Sequence, residues 1–427
     1  MTDAFLARID SFNSATRAYI TVTPDAAIRA ASDCDRRLAA GDQAALLGVP
    51  FGTKDLIDIA GVLTTGGSRV LAENIAADDA AIIVRLRSAG AVSLGKTNLH
   101  EFAYGVTGEN DVYGTPASPY DPTRLACGSS SGSAVAVACG LAAFALGTDT
   151  GGSVRVPAVL NGLVGLKPTF GSISTEGVIP FCWSLDHVGL ITRTIGDCIA
   201  LLRACARTDT TENSSDLAGL RVGVPDDFFG QTDPEIVAAT EDAIAILRRA
   251  GVRIAKVALP DARHSRTVSL TIQMPEALSF HSRYLEERGP LYGKDLRAGL
   301  ALGQYILAEH YVRAKRLVTR YREGVNAVLK DVDVILTPAT PIPAPPIGTA
   351  SIAIGGVDEA IGNALTRFTS FFNMTGHPAV TLANAMHSLG LPIGIQLVGR
   401  HHDEPTMLAA AGHVAAESPH IPPPAMS

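Results

Sequence analysis

Short, unbroken apolar runs alternate with helix-length stretches through most of the chain, and this alternation limits the fold more than any other feature. Ala91–Leu94, Leu163–Leu166, Val188–Thr192, Leu220–Val224, Val252–Val257, Val332–Thr337 and Ile393–Val398 read as buried strands. Between them, Ala81–Ala89, Ser131–Ala145, Ile195–Ala206, Glu235–Ala250, Val268–Glu287, Gly303–Leu329 and Glu404–Ala416 read as helices, and the first 45 residues read as helix too. Strands that are apolar on both faces belong to a sheet covered by helices, so the expected class is α/β. The Pro-rich stretch Pro338–Pro346 reads as a surface crossing inside one domain, since strand patterns resume after it.

Composition removes whole classes of function. The 427 residues carry a formal charge of −7, which argues against a nucleic-acid binder and its basic face. With 47% hydrophobic and 18% charged residues the chain is not disordered and must bury a large core. The longest apolar run, Ala134–Leu146, is too short to span a bilayer, and no signal peptide is evident. No membrane partner is therefore expected. Cys34, Cys127, Cys139, Cys182, Cys198 and Cys205 form no regular framework, which fits free thiols in a reducing, cytoplasmic setting. His401-His402-Asp403-Glu404 reads as a solvated helix start rather than a metal site, and His100-Glu101 lacks the second histidine of a zinc-protease helix. No metal and no cofactor are expected.

Three motif matches fail on context. Gly90-Ala-Val-Ser-Leu-Gly95-Lys96-Thr97 fits the phosphate-loop pattern, but its middle residues prefer a strand and Gly90 stands where a helix stops. A P-loop nucleotide-binding protein is thus a remote alternative. Ser93-x-x-Lys96 lacks the companion motifs of penicillin-binding enzymes. Gly128-Ser-Ser130-Ser-Gly132 matches a nucleophile elbow, yet a turn-rich segment with two prolines precedes it instead of a strand.

Three other segments carry consistent chemistry. The loop Cys127-Gly-Ser-Ser-Ser-Gly-Ser133 runs into an Ala/Val helix and so presents hydroxyls and amide donors at a helix start. Gly147-Thr-Asp149-Thr150-Gly151-Gly152-Ser153-Val-Arg155 puts glycines directly before a serine, letting backbone N–H groups converge as an oxyanion hole requires. Asp149 and Arg155 flank that turn with opposite charges that could pin it. Upstream, Lys54 stands alone in an apolar stretch, where burial would disfavour its ammonium and make it a usable base.

These segments, in this order, resemble the amidase signature family. Further matches are Gly95-Lys-Thr-Asn98, Gly165-Leu-Lys-Pro168, Ser184-Leu-Asp186, Leu336-Thr-Pro338, Asn373-x-x-Gly-His-Pro378 and Gly390-Leu-Pro-Ile-Gly-Ile-Gln396. The resemblance implies a single large domain with a central mixed sheet covered on both faces. It comprises a catalytic core at about 45–206, a more variable helical part at about 207–330 and a return to the core at about 331–416. It also implies a Ser–Ser–Lys triad of nucleophile Ser153, bridging Ser129 held through a cis peptide, and base Lys54. Oxyanion donors would be the amides of Thr150, Gly151, Gly152 and Ser153, with Asp149 and Arg155 in support. Phe181, Cys182 and Trp183 fall near the family's acyl pocket, though plain core packing explains them equally well. The implied activity is hydrolysis of a small-molecule amide C–N bond through an acyl-enzyme, releasing ammonia or an amine. The alternative is the glutaminase component of an aminoacyl-tRNA amidotransferase. Cys127 and Ser131 depart from glycines common in the family, and a shortened N-terminal helical region leaves a homodimer open.

Overall fold

In the computed structural model, which describes residues 1–206, 217–226, 230–259 and 262–425, the apolar runs pair into one 11-stranded mixed sheet. In chain order the strands are β1 (Tyr19–Val22), β2 (Pro50–Lys54), β3 (Val92–Thr97), β4 (Ala117–Ser118) and β5 (Asp121–Leu125). There follow β6 (Phe144–Asp149), β7 (Val164–Lys167), β8 (His187–Thr192), β9 (Arg221–Pro225) and β10 (Arg253–Val257). The last are β11 (Val334–Pro338), β12 (Ser351–Ile354), β13 (Val357–Ala360), β14 (Ala379–Met386) and β15 (Pro392–Val398). The large sheet runs β1-β3-β2-β6-β8-β7-β14-β15-β11-β9-β10, while β4 pairs with β5 and β12 with β13. β2 lies parallel to both β3 and β6, so the chain leaves β2 and β6 at the same end of the strands.

Alternation along the strands divides the core between two faces. Phe144 and Leu146 of β6 pack with helices Ala81–Ser88, Ile195–Cys205, Pro234–Arg249 and Glu404–Glu417. Ala145 of the same strand packs on the opposite side with helices Thr2–Thr16, Pro24–Ala39, Ser131–Ala138 and Arg155–Leu160. Helix ends follow local chemistry. Gly90, at φ 89°, takes up the left-handed turn that ends Ala81–Ser88. Asp233 accepts from the Glu235 amide, and Pro234 opens the next helix without an amide to satisfy.

Several expectations need correction. The N-terminal segment is not all helix, because Tyr19-Ile-Thr-Val22 forms an edge strand antiparallel to β3. β-Branched residues suit the pleat better than a helix there. The helix expected over Ser131–Ala145 stops at Ala138, Gly140 turns at φ 68°, and the remainder becomes β6. An apolar run of small residues has no periodicity to separate these outcomes. The helix expected over Gly303–Leu329 begins only at Ala308 and runs to Asp331, and a separate helix, Lys294–Gly303, precedes it. Pro338–Pro346 is no surface crossing, since Ala339, Thr340, Ile342 and Ala344 are buried. Its prolines bring no N–H that burial would strand. The boundary expected at 206–207 meets residues 207–216, outside the described residues.

Candidate active site

Lys54 ends β2, and its fully buried Nζ donates to Ser129 Oγ at 2.7 Å and Thr148 Oγ1 at 2.8 Å. Among the described residues no carboxylate touches it. Burial therefore draws its pKa down to about 7, against the opposing charges of Asp149 and Asp186. Ser129 enters through a cis Gly128–Ser129 peptide, just before helix Ser131–Ala138, and its carbonyl accepts from the His100 amide at 3.1 Å. Burial, reinforced by the Lys54 charge, lowers His100 to about 4, so this ring is neutral around pH 7.

The second loop leaves the end of β6. Asp149 takes Arg155 Nε and Nη2 at 3.0 and 2.9 Å, with both side chains out of reach of solvent. Burial alone would raise Asp149, but Arg155 and Asn373 outweigh it and hold the carboxyl well below its usual range. Arg155 also donates to Gln396 Oε1 and Asn373 Oδ1, each at 2.6 Å, tying the turn to β15 and to helix Ser370–Thr375. Gly152 adopts φ 130°, and a Cβ there would collide with Thr369 Oγ1. The expected donor set loses one member, because the Gly152 amide is spent on Asp149 Oδ1 at 2.9 Å. The amides of Thr150, Gly151 and Ser153 are free of such a bond to any described residue. Thr150 Oγ1 is held by Asp186 Oδ1 at 2.6 Å.

Ser153 and Gly151 line a cavity of about 650 Å³, while Lys54 and Ser129 are fully buried and do not line it. The Ser153 carbonyl accepts from the Ser130 amide at 3.1 Å, joining the two serine loops. Ser130 Oγ is turned away onto the Thr148 carbonyl at 3.2 Å. Of the aromatic pocket expected from sequence, only Phe181 lines this cavity. Cys182 is buried with its thiol on Glu276, and Trp183 is 51% exposed, so neither belongs to the wall. Lys96 lies on β3, its Nζ 3.0 Å from Asp55. The His401–Glu404 segment opens a helix, but Glu404 is buried and accepts from the Thr169 amide, so the start is not wholly solvated. Among the described residues no group of three His, Cys, Asp or Glu side chains is arranged to hold a metal ion. Sequence reading gave no role to Thr148, though it stands inside the Gly147–Arg155 segment, or to His100, and it missed Tyr104, Arg266 and Gln273. The last three carry no local motif, and three-dimensional proximity alone brings them to the site.

A family model described as Amidase matches residues 1–408, and the chain belongs to that family, whose members are known as amidase signature enzymes. The A subunit of glutamyl-tRNA(Gln) amidotransferase from Alkalilimnicola ehrlichii is 38% identical over 448 residues, covering 96% of this chain and 91% of that relative. A chain solved in work on a vestigial protein complex and the origins of an s-triazine catabolic enzyme superposes with a TM-score of 0.91. It is 34% identical and covers 97% of this chain and 94% of its own. The peptide amidase of Stenotrophomonas maltophilia gives 0.81 at 30% identity, covering 99% and 94%. No described helix is long and apolar enough to cross a membrane.

Proposed function

We propose that this chain cleaves an amide C–N bond by transferring the acyl group to Ser153, with Lys54 as base and Ser129 as relay. One observation carries the reading: a buried lysine with no carboxylate partner among the described residues lies 2.7 Å from Ser129, whose neighbour Ser130 donates its amide to the carbonyl of Ser153 in the glycine turn. Neutral Lys54 takes the Ser129 proton as Ser129 takes that of Ser153, and Ser153 Oγ adds to the amide carbonyl. The oxyanion faces the amides of Thr150, Gly151 and Ser153. Collapse expels the amine, which recovers its proton through Ser129, and water then releases the carboxylate by the same relay. Asp149 and Arg155 act as positioning residues that fix the turn.

Two substrate settings compete. The curated relatives support the glutaminase component of an amidotransferase, with glutamine as the amide and ammonia passed onward, better than a free-standing small-molecule amidase. In that setting the charge of −7 leaves contact with tRNA to a partner protein. The free-standing reading draws on solved neighbours such as the peptide amidase, while another solved neighbour is an amidotransferase A subunit. Six buried cysteines without disulfides fit the cytoplasm in either case. The deciding experiment follows ammonia release by the purified chain from glutamine and from simple amides, alone and with a tRNA-binding amidotransferase partner. Turnover of simple amides by the chain alone favours the free-standing enzyme. Glutamine turnover only with the partner favours the amidotransferase component, and no release under any condition refutes both.

A further inference from the structure

The cavity beside Ser153 contains a cation that the chemistry above does not use. Arg266, near the start of helix Ser265–Arg288, lines the cavity together with Ser153 and Gly151. Its Nε donates to Asn363 Oδ1 at 2.9 Å, and among the described residues no carboxylate pairs with its guanidinium. The nearby acid Glu359 is taken by Arg367, and Glu109 on the cavity wall accepts from the Gly348 amide. Other arginines of the fold, such as Arg155, Arg221 and Arg400, have carboxylate partners. Burial draws Arg266 down to about 10, against the influence of Tyr104 and Glu359, and at neutral pH it remains charged. Tyr104 lines the same cavity, and its buried hydroxyl has no hydrogen-bond partner among the described residues. Phe181 holds the Tyr104 ring edge-on at 5.2 Å.

The half-buried guanidinium faces the cavity with no partner for its Nη donors among the described residues, and the buried Tyr104 hydroxyl on the same wall is unsatisfied, so the pair offers polar groups that a ligand can complete. The guanidinium fork matches a planar, singly charged carboxylate, and a phenol can donate to the same group. A phosphate dianion would bring excess negative charge next to Glu109 and Asp111, which also line the cavity. We propose that Arg266, assisted by Tyr104, binds a substrate carboxylate, so that the substrate class is a small amide bearing a carboxylate away from the scissile bond. The proposal rests on amide hydrolysis at Ser153 and applies in both settings, because glutamine is itself such an amide.

The test compares glutaramate with glutaramide, which differ only in carboxylate against carboxamide at the far end. The wild type should favour glutaramate in kcat/KM by tenfold or more. Arg266→Gln should reduce that preference by roughly 10- to 100-fold, chiefly through KM, with Arg266→Lys retaining part of it. An equal preference in wild type and Arg266→Gln, or none in wild type, overturns the proposal while leaving amide hydrolysis standing. Should neither amide be turned over, calorimetry with glutarate as probe decides. Binding by wild type that Arg266→Gln loses supports the carboxylate site, and no binding by wild type refutes it. If Arg266→Gln does not fold, Arg266→Lys and Tyr104→Phe are read in the same assays, where wild-type preference and wild-type glutarate affinity in both would refute it.

Discussion

Asp55 Oδ1 lies 3.0 Å from Lys96 Nζ, and solvent reaches neither side chain. Asp55 directly follows Lys54, and β2 and β3 run parallel with Thr53 opposite Lys96 and Lys54 opposite Thr97. Two buried lysines on neighbouring strands thus meet opposite surroundings. Burial pulls the Lys96 pKa down and the Asp55 carboxylate opposes that pull, whereas Lys54 meets hydroxyls and a carbonyl. Partner chemistry, not burial, separates the structural lysine from the proposed base.

Removing one member of a buried ion pair strands the other, at a cost of about 3–5 kcal/mol. Lys96→Met should therefore lower stability by that order in urea unfolding. The fold gives Lys96 no phosphate to bind, since Gly95 and Lys96 sit inside β3 instead of in a loop. Titration of the wild type with ATP should accordingly give no heat of binding. A micromolar signal abolished by Lys96→Met would restore the phosphate-loop reading.

Lys54 predicts two pH effects. As a base it must be neutral, so kcat/KM should rise through an apparent pKa near 7 and level off above it. Lys54→Ala should fall by roughly 10²–10⁴-fold and lose that limb. The stability effect has a definite sign. The folded value lies below the unfolded value of ~10.4, so between pH 7 and 10 the unfolded chain binds the extra proton. Stability from this group should then rise by roughly 1.4 kcal/mol per pH unit across that window. Lys54→Met should flatten the measured slope, and an unchanged slope would count against a neutral lysine in the folded enzyme.

What could be read in advance followed from chemistry confined to short segments. Lys54, the serine loop and the Gly-Gly-Ser153 turn each announce themselves locally, and strands such as β8 and β15 show as unbroken apolar runs. β1 escaped because four residues carry little pattern of their own, and β2 because Pro50 and Gly52 break up a five-residue strand. The loss of Gly152 from the donor set is visible only once Asp149 is seen accepting its amide. Arg266 lies more than a hundred residues from Ser153 in the chain and reaches the cavity through tertiary packing alone.

Asp149 is the anchor of the turn. Asp149→Asn removes the charge facing the fully buried Arg155 and unsettles the bonds to the Gly152 and Val154 amides. Stability should fall by about 3–5 kcal/mol, with activity falling alongside it. In wild type the carboxylate's stabilisation holds above its unfolded pKa of ~3.9 and is lost as the pH drops toward its depressed folded value. Acid unfolding monitored by circular dichroism should thus begin at higher pH in Asp149→Asn. If the variant matches wild type in both stability and rate, the turn is held by something else.

The sharpest prediction separates three neighbouring serines by what each hydroxyl can reach. Ser153 lines the cavity, 7% exposed, next to free amides that would receive an oxyanion. Ser129 and Ser130 are completely buried, one against Lys54 and the other against the Thr148 carbonyl. A sulfonyl fluoride that reacts with activated serines should therefore attach to Ser153, and peptide mass spectrometry should find no adduct on Ser130. Labelling should disappear in Ser153→Ala. It should slow strongly in Ser129→Ala and Lys54→Ala, because both lose the relay that activates the nucleophile. Ser130→Ala removes one buried hydrogen bond at a cost of about 1–3 kcal/mol and should still be labelled. An adduct on Ser130, together with an active Ser153→Ala, would move the nucleophile to the elbow-like motif and dismantle the triad.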